Sequence, residues 1–186
     1  GAAGQEFLRD QLLLKGMDAL KEWTGKTSAT VVYDSRKDLF TSDGIFSMVR
    51  TISNIAIIAS TTDGDMFGGF YSVAVTKQNV SVFDPTIFAF SLESRGRCTT
   101  PQMFPLKSTI KANAFVEFFS NDKDGWFVQF WVKNQGGFIL GNQESKTYCG
   151  YLSWIFENIT DTTLTGKKNG RPNYHRCDRL VAVQLF

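Results

Sequence analysis

The sequence predicts a mainly β protein of the α+β class: a two-layer antiparallel β-sandwich flanked by short helices and preceded by an N-terminal amphipathic helix. Three observations predict it. Short apolar runs recur along most of the chain, bounded by Gly, Asn, Asp or Ser. Two of them return on themselves as hairpins do, one across Asp63-Gly64 and one across Asn121-Asp122-Lys123-Asp124-Gly125. Helical periodicity is confined to the first residues and two short segments farther on. The 17 Phe among 186 residues suit broad sheet faces that must be buried.

In chain order, Gly1-Ala2-Ala3-Gly4 reads as a cloning remnant and is set apart, leaving a single domain over residues 5–186. From Gln5 to Trp23, Leu13, Met17 and Leu20 fall at i, i+4 and i+7, backed by Leu12 and Trp23, which predicts a helix with one apolar face. Such a helix over residues 5–23 fits the end of a longer helical region. Thr24-Gly25-Lys26-Thr27 closes it, and Ala29–Tyr33 (ATVVY) has the composition of a strand. Ser42-Asp43 offers an N-cap to a short helix that would bury Ile45, Phe46 and Val49. Ile55–Ala59 is apolar throughout, as a strand buried on both faces must be. Asp63-Gly64 turns the chain into a returning strand, Met66–Val75, in which Gly68-Gly69 marks a bulge or the close approach of another backbone. Further strands are expected at Thr86–Leu92, Ala114–Phe119, Trp126–Val132, Gly137–Leu140 and Leu180–Leu185, with a short helix around Leu152–Glu157.

Composition excludes several classes. With 42% hydrophobic and 20% charged residues the chain belongs among ordinary globular proteins. A chain of this length buries roughly 70% of its unfolded surface and needs no metal or disulfide framework to supply a core. No run approaches the roughly 20 apolar residues of a spanning helix, and GAAGQEF lacks the order of a secretory signal, so the chain reads as soluble. A net charge of +2 argues against whole-surface attraction to nucleic acid or membrane. Cys98, Cys149 and Cys177, odd in number and far apart, suit free thiols in a reducing, cytoplasmic setting. The sequons at Asn79 and Asn158 point mildly the other way.

The motifs that could carry chemistry are mostly conformational. Gly25-Lys26-Thr27 lacks the earlier glycine of a phosphate loop, follows a helix where that loop follows a strand, and reads as a helix C-terminal glycine turn. Ser120–Gly125 (SNDKDG) resembles half a calcium loop but reaches Trp131 where the bidentate Glu belongs, and reads as a hairpin turn. Three cysteines and His175 could complete a zinc set, yet no two cysteines are close enough for one turn to present both. With His175 as the only histidine and no nucleophile elbow, no catalytic constellation emerges, and the chain is read as a non-enzyme without a cofactor or metal. The distinctive charge feature is Gly166–Arg179. Lys167, Lys168, Arg171, Arg176 and Arg179 against Asp178 give this segment +4, which leaves −2 on the rest of a chain of net +2. Tyr174 within it is available for stacking. Cys177, between Arg176 and Arg179, would have a depressed pKa if exposed.

The segment Thr61–Tyr71 (TTDGDMFGGFY), followed by Phe88–Leu92, resembles the TLDc domain family; Asp63, Gly64, Phe67 and Gly68 match its signature directly. Upstream, Tyr33–Phe40 (YDSRKDLF) resembles the family's YxSxxDGF stretch, with Asp38-Leu39 displaced by one residue; downstream, Gly136-Gly137-Phe138 and Leu180–Val183 resemble its glycine-rich segment and terminal strand. The likeness spans the chain from about Ala29 onward. It implies a β-sandwich flanked by helices, an intracellular role in resistance to oxidative stress, and, from several members, binding and regulation of the vacuolar-type proton-pumping ATPase. It carries no catalytic site, and the motif residues read as structural.

The leading expectation is thus a non-catalytic intracellular domain that binds a protein partner, with Lys167, Lys168, Arg171, Arg176 and Arg179 as the candidate surface. The alternative is a thiol-based redox or peroxide-sensing protein acting through Cys98, Cys149 or Cys177. Nucleic-acid or other polyanion binding through the basic segment is a weaker third.

Overall fold

The computed structural model describes residues 1–123, 125–144 and 146–186. Two antiparallel sheets pack face to face. One has six strands in the order β1 (Ala29–Asp34), β11 (Cys177–Leu185), β2 (Ile55–Thr61), β3 (Met66–Tyr71), β5 (Phe88–Glu93) and β6 (Gln102–Pro105). The other has five, in the order β10 (Cys149–Gly150), β9 (Gly136–Gly141), β8 (Trp126–Val132), β7 (Ala114–Phe118) and β4 (Val82–Phe83). Helix α1 (Ala2–Thr24) lies on the outer face of the six-stranded sheet, and α2 (Ser42–Val49) and α3 (Leu152–Ile155) sit at the margins. No helix among the described residues is long and apolar enough to cross a membrane.

The apolar runs follow from this layering. Ile55, Ile57 and Ala59 of β2 face the second sheet, while Ala56 and Ile58 lie under α1. The same division holds on β11, with Leu180 and Ala182 inward and Val181, Val183 and Leu185 toward the helix. A strand covered on both faces has no polar side, which is why these segments do not alternate.

Leu13 and Leu20 of α1 are buried, with Leu12, Met17 and Trp23 packed beside them, as the periodicity predicts. The helix ends at Gly25, whose φ of 71° places it in the left-handed region while its N–H bonds the Glu22 carbonyl, the glycine turn expected there. At its other end the helix begins at Ala2, three residues before the expected Gln5. A second correction concerns α2: its N-cap is Thr41, whose hydroxyl accepts from Gly44 N at 2.9 Å, one residue before the Ser42-Asp43 pair. Strand β3 stops at Tyr71, short of Val75, because the buried Asp84 carboxylate takes the next two amides, Ser72 N at 2.6 Å and Val73 N at 3.3 Å. The same carboxylate holds Thr86, so β5 begins at Phe88.

Charge fastens α1 to the sheet. Arg179 on β11 is almost fully buried and reaches Asp34 at 2.9 Å, Asp10 at 2.9 Å and Glu6 at 3.1 Å. Arg36 joins the same three carboxylates, and Arg9 pairs with Asp178 at 2.9 Å. Ser35, in the YDSRKDLF stretch, stitches this corner to β11 by accepting from Leu180 N at 3.0 Å.

Candidate functional site

Three turns meet at one end of the sandwich. The first, 61–65, links β2 to β3 through Gly64, whose φ of 100° suits a residue without a Cβ. Asp65 at its end is buried, and its carboxylate accepts from Thr61 Oγ1 at 3.1 Å. The second turn, 94–98, brings Arg95 Nε to Asp65 at 3.1 Å and Arg97 Nη2 onto the same oxygen. Both guanidinium groups then reach the third segment, Arg97 donating to the Thr163 carbonyl at 3.0 Å and Arg95 to that of Thr165 at 3.5 Å. Two arginines on one carboxylate leave a surplus positive charge beneath the basic loop.

That loop, 166–176, is closed against the first turn. Lys167 Nζ pairs with Asp63 at 3.1 Å, and Thr62 N bonds the Arg176 carbonyl at 2.9 Å. The motif turn and the basic segment, remote in sequence, are therefore neighbours. Lys168, Arg171 and Arg176 are exposed. Arg171 lies over the Tyr148 ring at 5.8 Å, Lys146 lies over Tyr174 at 6.0 Å, and Arg176 donates to the Gln143 carbonyl at 3.0 Å. Arg179, counted with these cations on sequence, is not among them: it is buried under α1 and spent on Asp34, Asp10 and Glu6.

Tyr174 divides two adjoining clefts. One, of about 520 Å³, is lined by Trp126, Glu144, Lys146, Arg171 and Tyr174. The other, of about 600 Å³, is lined by Lys167, Lys168, Tyr174 and Arg176 together with Gly166, Pro172 and Asn173. The combined surface has cations on both sides of an aromatic wall. It offers multiple charge-assisted donors to carboxylates or phosphates.

Two of the three thiols are closed to solvent. Cys149 and Cys177 are buried, and loss of solvent pushes each up to about 12, outweighing the hydrogen bonds that favour their thiolates. The exposure on which a depressed Cys177 pKa depended is absent: burial dominates, and Arg179 faces the carboxylates. Cys98 is partly exposed, and all three cysteines are free. His175 is buried, its Nε2 2.8 Å from the Ile139 carbonyl, so that nitrogen carries the proton. Burial holds its pKa down at about 4. Among the described residues no three His, Cys, Asp or Glu side chains gather as a metal would require.

The remaining motif residues are packing elements. Phe67 is fully buried, 5.8 Å from Phe138 and 5.4 Å from His175 between ring centroids. A Cβ on Gly68 would overlap the Ile57 carbonyl, and one on Gly69 would come within 2.8 Å of the Phe130 ring from the opposite sheet. Both are the close approaches the sequence suggested, and the neighbouring ladder carries a register shift at Met66/Phe67. In the SNDKDG turn, Asn121 Oδ1 accepts from Ser42 Oγ and Asp43 N, both at 2.9 Å, tying the turn to α2; Asp124 lies outside the described residues.

Sequence reading missed Arg95, Arg97, Lys146, Trp126 and Tyr148. The only local signal was Ser94-Arg95-Gly96-Arg97, two cations across a glycine turn; the others join through sheet pairing. No protein-family model matches the chain, and no curated protein matches it.

Proposed function

We propose that this protein is a non-catalytic interaction domain that takes an acidic segment of a protein partner in the cleft around Tyr174. The observation that carries this reading is the convergence of Lys146, Lys167, Lys168, Arg171 and Arg176 on one open, aromatic-walled surface, opposed there by Glu144 and Asp63. A net positive cleft steers an oppositely charged partner and fixes its register. The resemblance to the TLDc family extends the proposal to an intracellular, cytoplasmic role in oxidative-stress protection, with subunits of the vacuolar-type ATPase as the first partners to try. That extension rests on the resemblance alone, centred on the Thr61–Tyr71 segment; the two packed sheets are the fold the resemblance implies. The test is affinity capture from a cytosolic extract at near-physiological salt, comparing the wild type with K167E/K168E/R171E. The expected result is a defined set of proteins retained by the wild type and lost by the variant; equal retention by both contradicts the proposal.

A second reading, thiol-based redox sensing, is favoured by one observation: Cys98 is partly exposed on the 94–98 turn, beside Arg97. The buried thiols at about 12 are poor nucleophiles at neutral pH. A thiol reagent should therefore label Cys98 in the folded protein, and Cys149 and Cys177 only after unfolding. Peroxide sensitivity abolished by C98S would favour this reading over the first. Rapid native labelling of Cys149 or Cys177 would contradict the burial argument.

A further inference from the structure

Beside the basic loop, Tyr151 and Trp154 stack with ring centroids 4.5 Å apart and planes 24° from parallel. They are 46% and 56% exposed, a large aromatic surface to leave in water. Tyr151 has a φ of +52°, an unfavourable backbone for a bulky side chain, and the surroundings hold it there. Its N–H bonds Asn169 Oδ1 at 2.8 Å; Asn169 Nδ2 bonds Asp161 Oδ2 at 2.8 Å; and Asp161 Oδ1 accepts from Ser153 N at 2.9 Å. Lys107 Nζ caps the Ser153 carbonyl at 2.7 Å, and Leu152 and Ile155 anchor the turn in the core. Gly170 N bonds the Cys149 carbonyl at 2.8 Å, so loop and aromatic turn share one frame, with Lys168 and Arg171 flanking the two residues that make the joint.

We infer that the Tyr151–Trp154 pair is the apolar anchor of the same interface, so that the partner segment carries a bulky apolar side chain next to its acidic residues. The inference rests on the basic-cleft reading. Rigid aromatics already fixed in place lose little entropy when a partner covers them, and such residues dominate interface energetics. The adjacent Lys168 and Arg171 supply the charge complementarity that selects acidic neighbours for the apolar group. A purely acidic polymer would satisfy the cations and leave the pair uncovered, and a purely apolar one would leave the cations unpaired.

The test is selection from a displayed random-peptide library on the full chain, followed by affinity measurement of the enriched peptides on the wild type, W154A and K168E/R171E. Both variants alter exposed positions, and their melting temperatures are recorded alongside. Enriched peptides should combine Asp or Glu with Leu, Phe or Trp, and each variant should weaken them about tenfold or more. Acidic peptides bound equally well by W154A would overturn the anchor and leave the cleft reading standing. Peptides without acids, bound equally well by K168E/R171E, would overturn the cleft reading and with it the composite surface. A library that yields no binder removes both.

Discussion

His175 shows how far a single residue can mislead and how its surroundings correct the reading. As the only histidine, in a basic segment two residues from a cysteine, it is an obvious candidate for metal binding or acid–base work. Its burial between Phe67 and the Ile139 carbonyl makes it a neutral core donor instead. The sequence showed that nothing around it resembled a catalytic partner; it could not show the burial, which depends on Thr147 pairing with His175 across the fold. A pH dependence follows. With a folded pKa of about 4 against 6.5 when unfolded, the unfolded chain takes up the proton first as pH falls. Stability is therefore lost progressively from about pH 6.5 down to about 4, by up to about 3 kcal/mol. Chemical denaturation across this range should show the decline in the wild type and a flattened profile in H175Q, which keeps an N–H for the Ile139 carbonyl. Identical slopes in both would contradict the assignment. Gly68 is legible for the opposite reason, since paired glycines inside a strand signal a close approach directly. G68A should cost at least about 1–3 kcal/mol, read from its denaturation midpoint, because the Ile57 backbone must move.

Among the elements, α1 is tied to the sheet through the buried Arg179, whose pair with Asp34 joins β11 to β1 and fixes the guanidinium that Glu6 and Asp10 of the helix reach. Arg179 and Asp34 are nearly inaccessible, whereas Glu6 and Asp10 are more than a third exposed. Removing Arg179 leaves the buried Asp34 carboxylate with Arg36 as its cation and takes the sheet partner from Glu6 and Asp10, so R179M should cost about 3 kcal/mol and raise amide exchange along the helix. E6Q and D10N should each cost about 1 kcal/mol or less, since solvent screens those partners. Equal losses in all three would mean that the buried guanidinium is not the fastener. Asp34 itself is held below the usual carboxylate range: burial pushes it up, but the Arg179 and Arg36 contacts and the Arg36 amide outweigh this. Its contribution is present above pH 3.8 and fades below that, in a window separate from that of His175. Long elements were legible because their signal accumulates over many residues, as helical spacing does in α1 and an unbroken apolar run does in β2. The strands β4 and β10, with two residues each, have no period to detect, and β6 is masked by Pro105. Thr41 was overlooked as a cap because three consecutive residues could serve, and only the backbone decides which one turns.

For the molecule as a whole, the sandwich was visible in the sequence and the site was not. Unalternating apolar runs in β2 and β11 require cover on both faces, and α1 with the second sheet supplies it. The candidate site is assembled from the 61–65, 94–98 and 163–176 segments and from residues flanking β8 and β10, which only the strand order brings together. The sequence located the basic loop but assigned Arg179 to it and could not place Lys146, Trp126 or the Tyr151–Trp154 pair beside it. The central claim is that this loop is an interface and not a structural support. It is tested most directly by titrating a fluorescent acidic peptide into the wild type and K167E/K168E/R171E at several salt concentrations, with melting temperatures recorded in parallel. Binding is expected to weaken with salt and vanish in the variant, at a melting temperature within a few degrees of the wild type, because Lys168 and Arg171 are exposed and solvent screens the half-buried Lys167–Asp63 pair. Binding that survives the charge reversal, or that ignores salt, would contradict it.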